Sequence, residues 1–237
     1  MKVVAFASFK GGAGKTTALM AGCSSLVASG QRVALFEADP NTPLSRWREL
    51  GREQDTWDES CSLYAADSVD VFAASMEKAE AAGHTIALVD TQGGGSDLNN
   101  AILVNAQLVA VPSTLSPLDI DAALDTVEYL VRLYTREGED IPVGVLLQRM
   151  PSGQLTMSQR ADMKLLAALP QFEAQFPERD AYRSIKARGM LHKLHAKLTA
   201  EPLKHIAARH IATALRESDA FASEILAIVN REVADAV

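Results

Sequence analysis

The sequence predicts an α/β fold: a doubly wound, mostly parallel sheet flanked by helices, with a helical C-terminal part. Three observations carry this. Short β-branched runs alternate with stretches of helical periodicity as far as Gln148. Those runs are nearly all apolar, as expected when helices cover both faces of a sheet. Glycine-rich or acidic segments follow three of them, at the strand ends where such sheets bind ligands.

Taken in order, Lys2–Ser8 (KVVAFAS) reads as the first strand, and Gly14–Ser29 as a helix closed by Gly30. Arg32–Asp39 (RVALFEAD) is the second strand, followed by a polar turn over Pro40–Pro43. Val69–Ala82 has helical periodicity and stops at Gly83. Thr85–Asp90 (TIALVD), Gln107–Ser113 (QLVAVPS) and Pro142–Gln148 (PVGVLLQ) are three further strands. A helix over Leu118–Arg136 joins the last two. Beyond Gln148 the pattern is helical, over Thr156–Ala168, Arg179–Arg188, Glu201–Arg216 and Asp219–Ala234. The 237 residues suit a single domain, 1–237, whose C-terminal region from about 156 is helical.

Hydrophobic content of 48% can fill a core, and no apolar run reaches the ~18 residues of a membrane span. The first eight residues are too short for a signal segment, so cytoplasmic localisation without membrane insertion is expected. Cys23 and Cys61 have no metal-ligand spacing, and Cys23 reads as a core residue. The net charge of −7 argues against a dedicated nucleic-acid binder, but it is uneven. Between Pro177 and Arg216 nine Lys/Arg face three acids, which leaves room for a local basic surface.

The chemistry concentrates at the strand ends. Ser8–Thr17 (SFKGGAGKTT) ends as a phosphate-binding loop does, although Phe9 stands where the general form has glycine. Gly11, Gly12, Ala13 and Gly14 let backbone N–H groups curl around phosphate oxygens at a helix N-terminus. Lys15 can reach phosphates, Thr16 can place a hydroxyl on Mg²⁺, and Thr17 continues the loop into the helix. Asp39, in FEADP, can orient a water or stand near the metal; the alternative is an Asx-type turn before Pro40. Asp90, in LVDTQGGG, closes an apolar strand as an acid of the Mg²⁺ shell does, and Gly93–Gly95 allow movement beside a terminal phosphate.

In this order, KGGAGKTT, FEADP, LVDTQGG and VPSTLSPLDID resemble the deviant Walker A P-loop ATPases of the ParA/MinD class. The resemblance implies ATP and Mg²⁺ as cofactors, ATP hydrolysis, and a homodimer formed on ATP binding. It assigns Lys10 as the signature lysine that reaches the partner's phosphates, Lys15 as the in-cis phosphate cation, Asp39 as the water-orienting residue, and Thr16 and Asp90 as metal residues. Together with TPLSRWRE, GGGSDLNN and ERDAYRSIKARGMLH, the chain is similar to the partition-like ATPases of T-DNA transfer systems. That similarity implies DNA binding, relaxosome assembly with accessory transfer proteins, delivery to a type IV coupling protein, and concentration at the cell pole through partners. Lys186, Arg188, Lys193 and Lys197 are the DNA-contacting candidates, acting on phosphates because few aromatics accompany them. Departures from the pattern are Glu37 for a frequent Asp, Gln92 for a frequent Pro, and Gln148–Arg149 where relatives place an adenine-contacting asparagine.

Other readings are a plasmid partition ATPase or an ATP-dependent ligase or chelatase-type enzyme on the same fold. A guanine-reading Asn-Lys-x-Asp string is absent, and the cysteines are misplaced for an iron–sulfur bridge. The last helix is amphipathic but acidic on its polar face, which favours packing on the body over binding a membrane surface.

Overall fold

In the computed structural model, which describes residues 1–231, seven strands form one sheet in the order β3-β2-β4-β1-β5-β6-β7, every neighbouring pair parallel. The strands are β1 (Lys2–Phe6), β2 (Val33–Glu37), β3 (Cys61–Ala65), β4 (Ile86–Asp90), β5 (Leu108–Ser113), β6 (Val143–Met150) and β7 (Phe176–Pro177). The helices are α1 (Lys15–Ala28), α2 (Pro43–Glu53), α3 (Val69–Ala81), α4 (Asp97–Val104), α5 (Pro117–Glu137), α6 (Met157–Leu166), α7 (Asp180–Arg188), α8 (Leu191–Thr199) and α9 (His205–Arg231).

Alternation along each strand sorts its residues between two cores. Val4, Phe6, Leu35 and Leu88 join one with α1, α8 and α9, while Val3, Ala5, Phe36 and Val89 join the other with α4 and α5. Both faces are therefore covered, which is why the strands read as unbroken apolar runs. In register, Phe6 and Glu37 both pair with Asp90, so β1, β2 and β4 end level along one edge. β1 lies between β4 and β5, and the chain leaves it into α1 at the point where the strand order reverses.

Several elements differ from the sequence reading. β3 and β7 are additional strands, and α2, α4 and α8 additional helices. β3 is an edge strand, half-buried at Ser62, Leu63 and Tyr64, so it lacks the continuous apolar signal. β7 has two residues and exists through its pairing with β6. The two helices expected over Glu201–Arg216 and Asp219–Ala234 are one, α9, preceded by a 3₁₀ turn at Pro202–Lys204. Ser218 and Asp219 look like a helix start, but the buried Ser218 hydroxyl donates to Ala214 O at 3.0 Å and the helix runs through. The end of the second expected helix, at Ala234, lies outside the described residues. Other ends agree: Thr156 caps α6 in a capping box with Gln159, and Gly30 and Gly83 follow their helices with positive φ.

The amphipathic C-terminal helix is packed on the body, with Phe221, Ala222, Ile225 and Val229 buried. The Phe221 ring meets Phe6, Phe172 and Phe176 edge to face. Among the described residues no helix is long and apolar enough to cross a membrane.

Candidate nucleotide site

The loop between β1 and α1 turns at Gly12 (φ 88°) and Gly14 (φ 98°), conformations that cost an L side chain strain. Gly14 is the N-cap of α1, and a Cβ there would lie 2.6 Å from Gln148 Oε1, so the glutamine side chain would have to shift. Gln148 is buried and donates its Nε2 to Gly14 O at 3.1 Å. At a position where an adenine contact is expected, this side chain instead braces the loop. A cavity of about 240 Å³ opens beside it, lined among others by Thr17, Arg149, Pro177 and Tyr182. Arg149 holds a left-handed backbone (φ 49°), which is uncommon for a side chain of its size.

Thr16 and Asp90 come together, the threonine hydroxyl donating to Asp90 Oδ2 at 2.6 Å. Asp90 is 1% exposed and its Oδ1 has no hydrogen-bond partner among the described residues. A buried carboxylate oxygen left bare costs free energy unless something fills its shell, and a hydroxyl plus a carboxylate oxygen is a donor set that suits Mg²⁺. Burial pushes the Asp90 carboxyl up to about 6, against the Thr16 hydrogen bond and the nearby Lys15 cation. With a folded pKa above the ordinary 3.8, this group favours the folded state most below pH 4 and loses that contribution as pH rises through 6. Denaturant midpoints of the nucleotide-free protein should therefore fall between pH 5 and pH 7.5 by more than those of Asp90→Asn. Mg²⁺ binding should run the other way, weakening below pH 6, because it needs the carboxylate.

Lys15 is half-exposed, with no hydrogen bond or ion pair among the described residues. Lys10 does have a partner: its Nζ lies 2.6 Å from Asp119 Oδ1 in the first turn of α5, and Thr114 Oγ1 donates to the other oxygen. The side chain of Asp119 is 10% exposed; burial alone would raise its pKa, but the Lys10 and Thr114 hydrogen bonds hold it below the ordinary value. The sequence reading does not single out Asp119; its place three residues after Ser116, the N-cap of α5, is the available signal.

Asp39 sits in an Asx turn, its Oδ1 accepting from Asn41 N at 2.8 Å and Asn41 Nδ2 at 2.9 Å. The turn and the strand-end placement are thus both present. Glu37 is committed elsewhere: Oε1 accepts from Leu44 N and Ser45 N, and Ser45 Oγ donates to Oε2, so this buried carboxylate caps α2. The extra methylene relative to aspartate supplies the reach. Among the described residues, no group of three or more His, Cys, Asp or Glu is placed to hold a metal. Thr16 and Asp90 are the pair the fold assembles.

The four basic candidates are not one free surface. Lys193 Nζ pairs with Asp58 at 2.9 Å, and Lys197 Nζ donates to Gln54 O at 2.7 Å, which ties α8 to the α2–β3 connection. Lys186 and Arg188, in the last turn of α7, form no ion pair among the described residues. The two cysteines are buried, their sulfurs 3.6 Å apart between α1 and β3.

This all-parallel sheet, with a glycine loop after β1 and Asp90 closing the neighbouring β4, defines a ParA/MinD-type P-loop ATPase fold. The solved structures it is similar to agree. The putative plasmid partition protein of Borrelia burgdorferi bound to AMPPNP aligns with a TM-score of 0.61 at 14% identity, over 91% of this chain and 98% of that one. The septum site-determining protein MinD of Pyrococcus horikoshii, complexed with Mg-ADP, aligns with a TM-score of 0.60 at 15% identity, over 92% and 96%. The chain belongs to the VirC1 family, whose model, described as VirC1 protein, matches residues 1–231. Protein virC1 of Rhizobium rhizogenes is 46% identical over 217 residues, covering 92% of this chain and 94% of that protein.

Proposed function

We propose that this chain is a Mg·ATP-dependent dimerising ATPase that binds DNA and promotes relaxosome assembly and DNA transfer through a type IV secretion system. The observation that carries the nucleotide reading is the Thr16–Asp90 pair, with its bare buried oxygen, beside the Lys10–Thr17 loop. Membership of the VirC1 family supports the transfer role. Residues 1–237 act as one unit in the cytoplasm, and polar concentration comes through partners such as accessory transfer proteins or the coupling protein.

When bound, Mg·ATP supplies a polarised terminal phosphoryl group for attack by water. The amides of Gly11–Thr17 and the Lys15 cation would bind phosphate oxygens, and Thr16 Oγ1 with Asp90 would hold the metal. Asp39 orients water. Lys10 leaves Asp119 and crosses to the partner subunit's nucleotide. The central experiment measures DNA binding with ATP, with ADP and without nucleotide, on specific and scrambled duplexes. Tighter binding with ATP is expected; indifference to nucleotide would sink the switch.

Two outcomes follow from the side chains. Asp39→Ala should bind Mg·ATP as wild type does while turnover falls by about 10²-fold, since a positioned base or water-orienting group contributes on that order. The variant should accumulate as a nucleotide-bound dimer in sedimentation, and normal turnover would remove Asp39 from the reaction. On the DNA side, Lys186→Ala with Arg188→Ala should flatten the dependence of log affinity on log salt by nearly two units, about 0.9 for each phosphate no longer neutralised. Lys193→Ala with Lys197→Ala should instead lower thermal stability, because those two lysines hold α8 to the body. An unchanged salt slope in the first pair would move the DNA surface off α7.

A further inference from the structure

Phe9, the residue standing where the loop's general form has glycine, is held in place. Its ring meets Tyr129 edge to face, centroids 4.9 Å and planes 65° apart, and its N–H donates to Thr126 Oγ1 at 3.1 Å. With the Lys10–Asp119 pair, three residues of α5 therefore hold the segment that carries Lys10. Their spacings of seven and three residues put them on one face of the helix.

Tyr129 also faces the other way. Its hydroxyl donates to Asn100 Oδ1 in α4, and a Cβ built at Gly95 would lie 3.1 Å from that hydroxyl. The preceding residue, Asn99, donates its Nδ2 to Gln92 O at 3.1 Å and to Gly94 O at 2.6 Å. Gln92 in turn donates its Nε2 to Ala38 O at 2.6 Å, one residue before Asp39. A continuous path thus runs from the Lys10 segment through Tyr129 to the glycine segment after β4, and on to the residue beside Asp39.

We propose that Tyr129 is a positioning residue, which ties the Gln92–Gly95 segment to the loop carrying Lys10 so that both move together. This rests on the ATP-driven reading above. The core does not need the hydroxyl: Tyr129 is half-buried, while Thr126, Leu130 and Leu133 fill the face of α5 beneath it. Its bond to Asn100 joins α4 to α5 at their surface. The Gly94 backbone (φ 89°) marks the segment that such a link would steer.

Tyr129→Phe tests this, since it keeps the ring on Phe9 and removes only the bond to Asn100. Mg·ATP affinity should stay within about twofold of wild type while kcat falls about tenfold, the signature of an interaction used after binding. The ATP concentration for half-maximal dimerisation should rise with it, at an unchanged thermal midpoint. Asn100→Ala, which removes the same bond from the other side, should reproduce the split. Wild-type kcat and dimerisation in both variants would overturn the proposal. So would a parallel loss of ATP affinity and thermal midpoint, which marks packing alone. A wild-type protein that binds Mg·ATP without turnover or dimers overturns the underlying reading itself, leaving nothing for Tyr129 to transmit.

Discussion

Lys15→Gln is expected to abolish productive ATP binding, raising the dissociation constant by about 10²-fold or more. The magnitude follows from losing two charge-assisted hydrogen bonds to phosphate, each worth roughly 1.5–3 kcal/mol. Within one subunit Lys10 is paired with Asp119 and does not stand in for Lys15. The fold should survive. Lys15 has no partner among the described residues, and the core of α1 is built by Leu19, Met20 and Leu26 further along. Isothermal titration with ATP and Mg²⁺, beside a thermal melt, checks both halves. Unchanged affinity and turnover would remove the loop from the reaction altogether.

Lys10→Ala should give the opposite split. ATP binding to the monomer should stay within about threefold of wild type, since the loop amides and Lys15 still supply the charge-assisted hydrogen bonds. ATP-dependent dimerisation should disappear, because two sets of terminal phosphates would then meet with a cation missing on each side. DNA binding should weaken by about 10²-fold as avidity disappears, each subunit presenting half of the surface. The pair with Asp119 gives this variant a second, milder consequence. The Asp119 carboxylate keeps the Thr114 hydrogen bond on Oδ2 while Oδ1 loses its lysine partner, so the thermal midpoint should fall modestly. Sedimentation of both proteins with ATP and Mg²⁺ decides it; equal dimer populations would make Lys10 an ordinary surface lysine.

The residues of the candidate site are more legible in the sequence than the residues that hold them. Gly14, Lys15, Thr16 and Asp90 lie in short strings whose chemistry is local: glycines for a turn, a lysine and a hydroxyl at a helix start, an acid at a strand end. Their supports come from far along the chain. Gln148 reaches Gly14 across 134 residues, and Asp119 reaches Lys10 across 109. Glu37 reads as an acid at the nucleotide edge, but it caps α2, a helix that the polar turn over Pro40–Pro43 does not announce.

The sequence by itself determined the sheet's apolar strands, the loop after β1, and the order in which the acidic strand ends follow one another. Periodicity and turn chemistry act within a few residues, so a chain carries them whatever it packs against. Only the tertiary structure decided that β3 and β7 complete the sheet, that α9 runs unbroken past Ser218, and that Lys193 and Lys197 meet Asp58 and Gln54. These depend on partners distant in sequence: an edge to pair with, an apolar face to cover, a carboxylate at Asp58 to meet. Burial of the α9 face on α1 outweighs the weak local preference of Ser218 and Asp219 for a helix start, because a face of Phe221, Ile225 and Val229 removed from water is worth several times a cap.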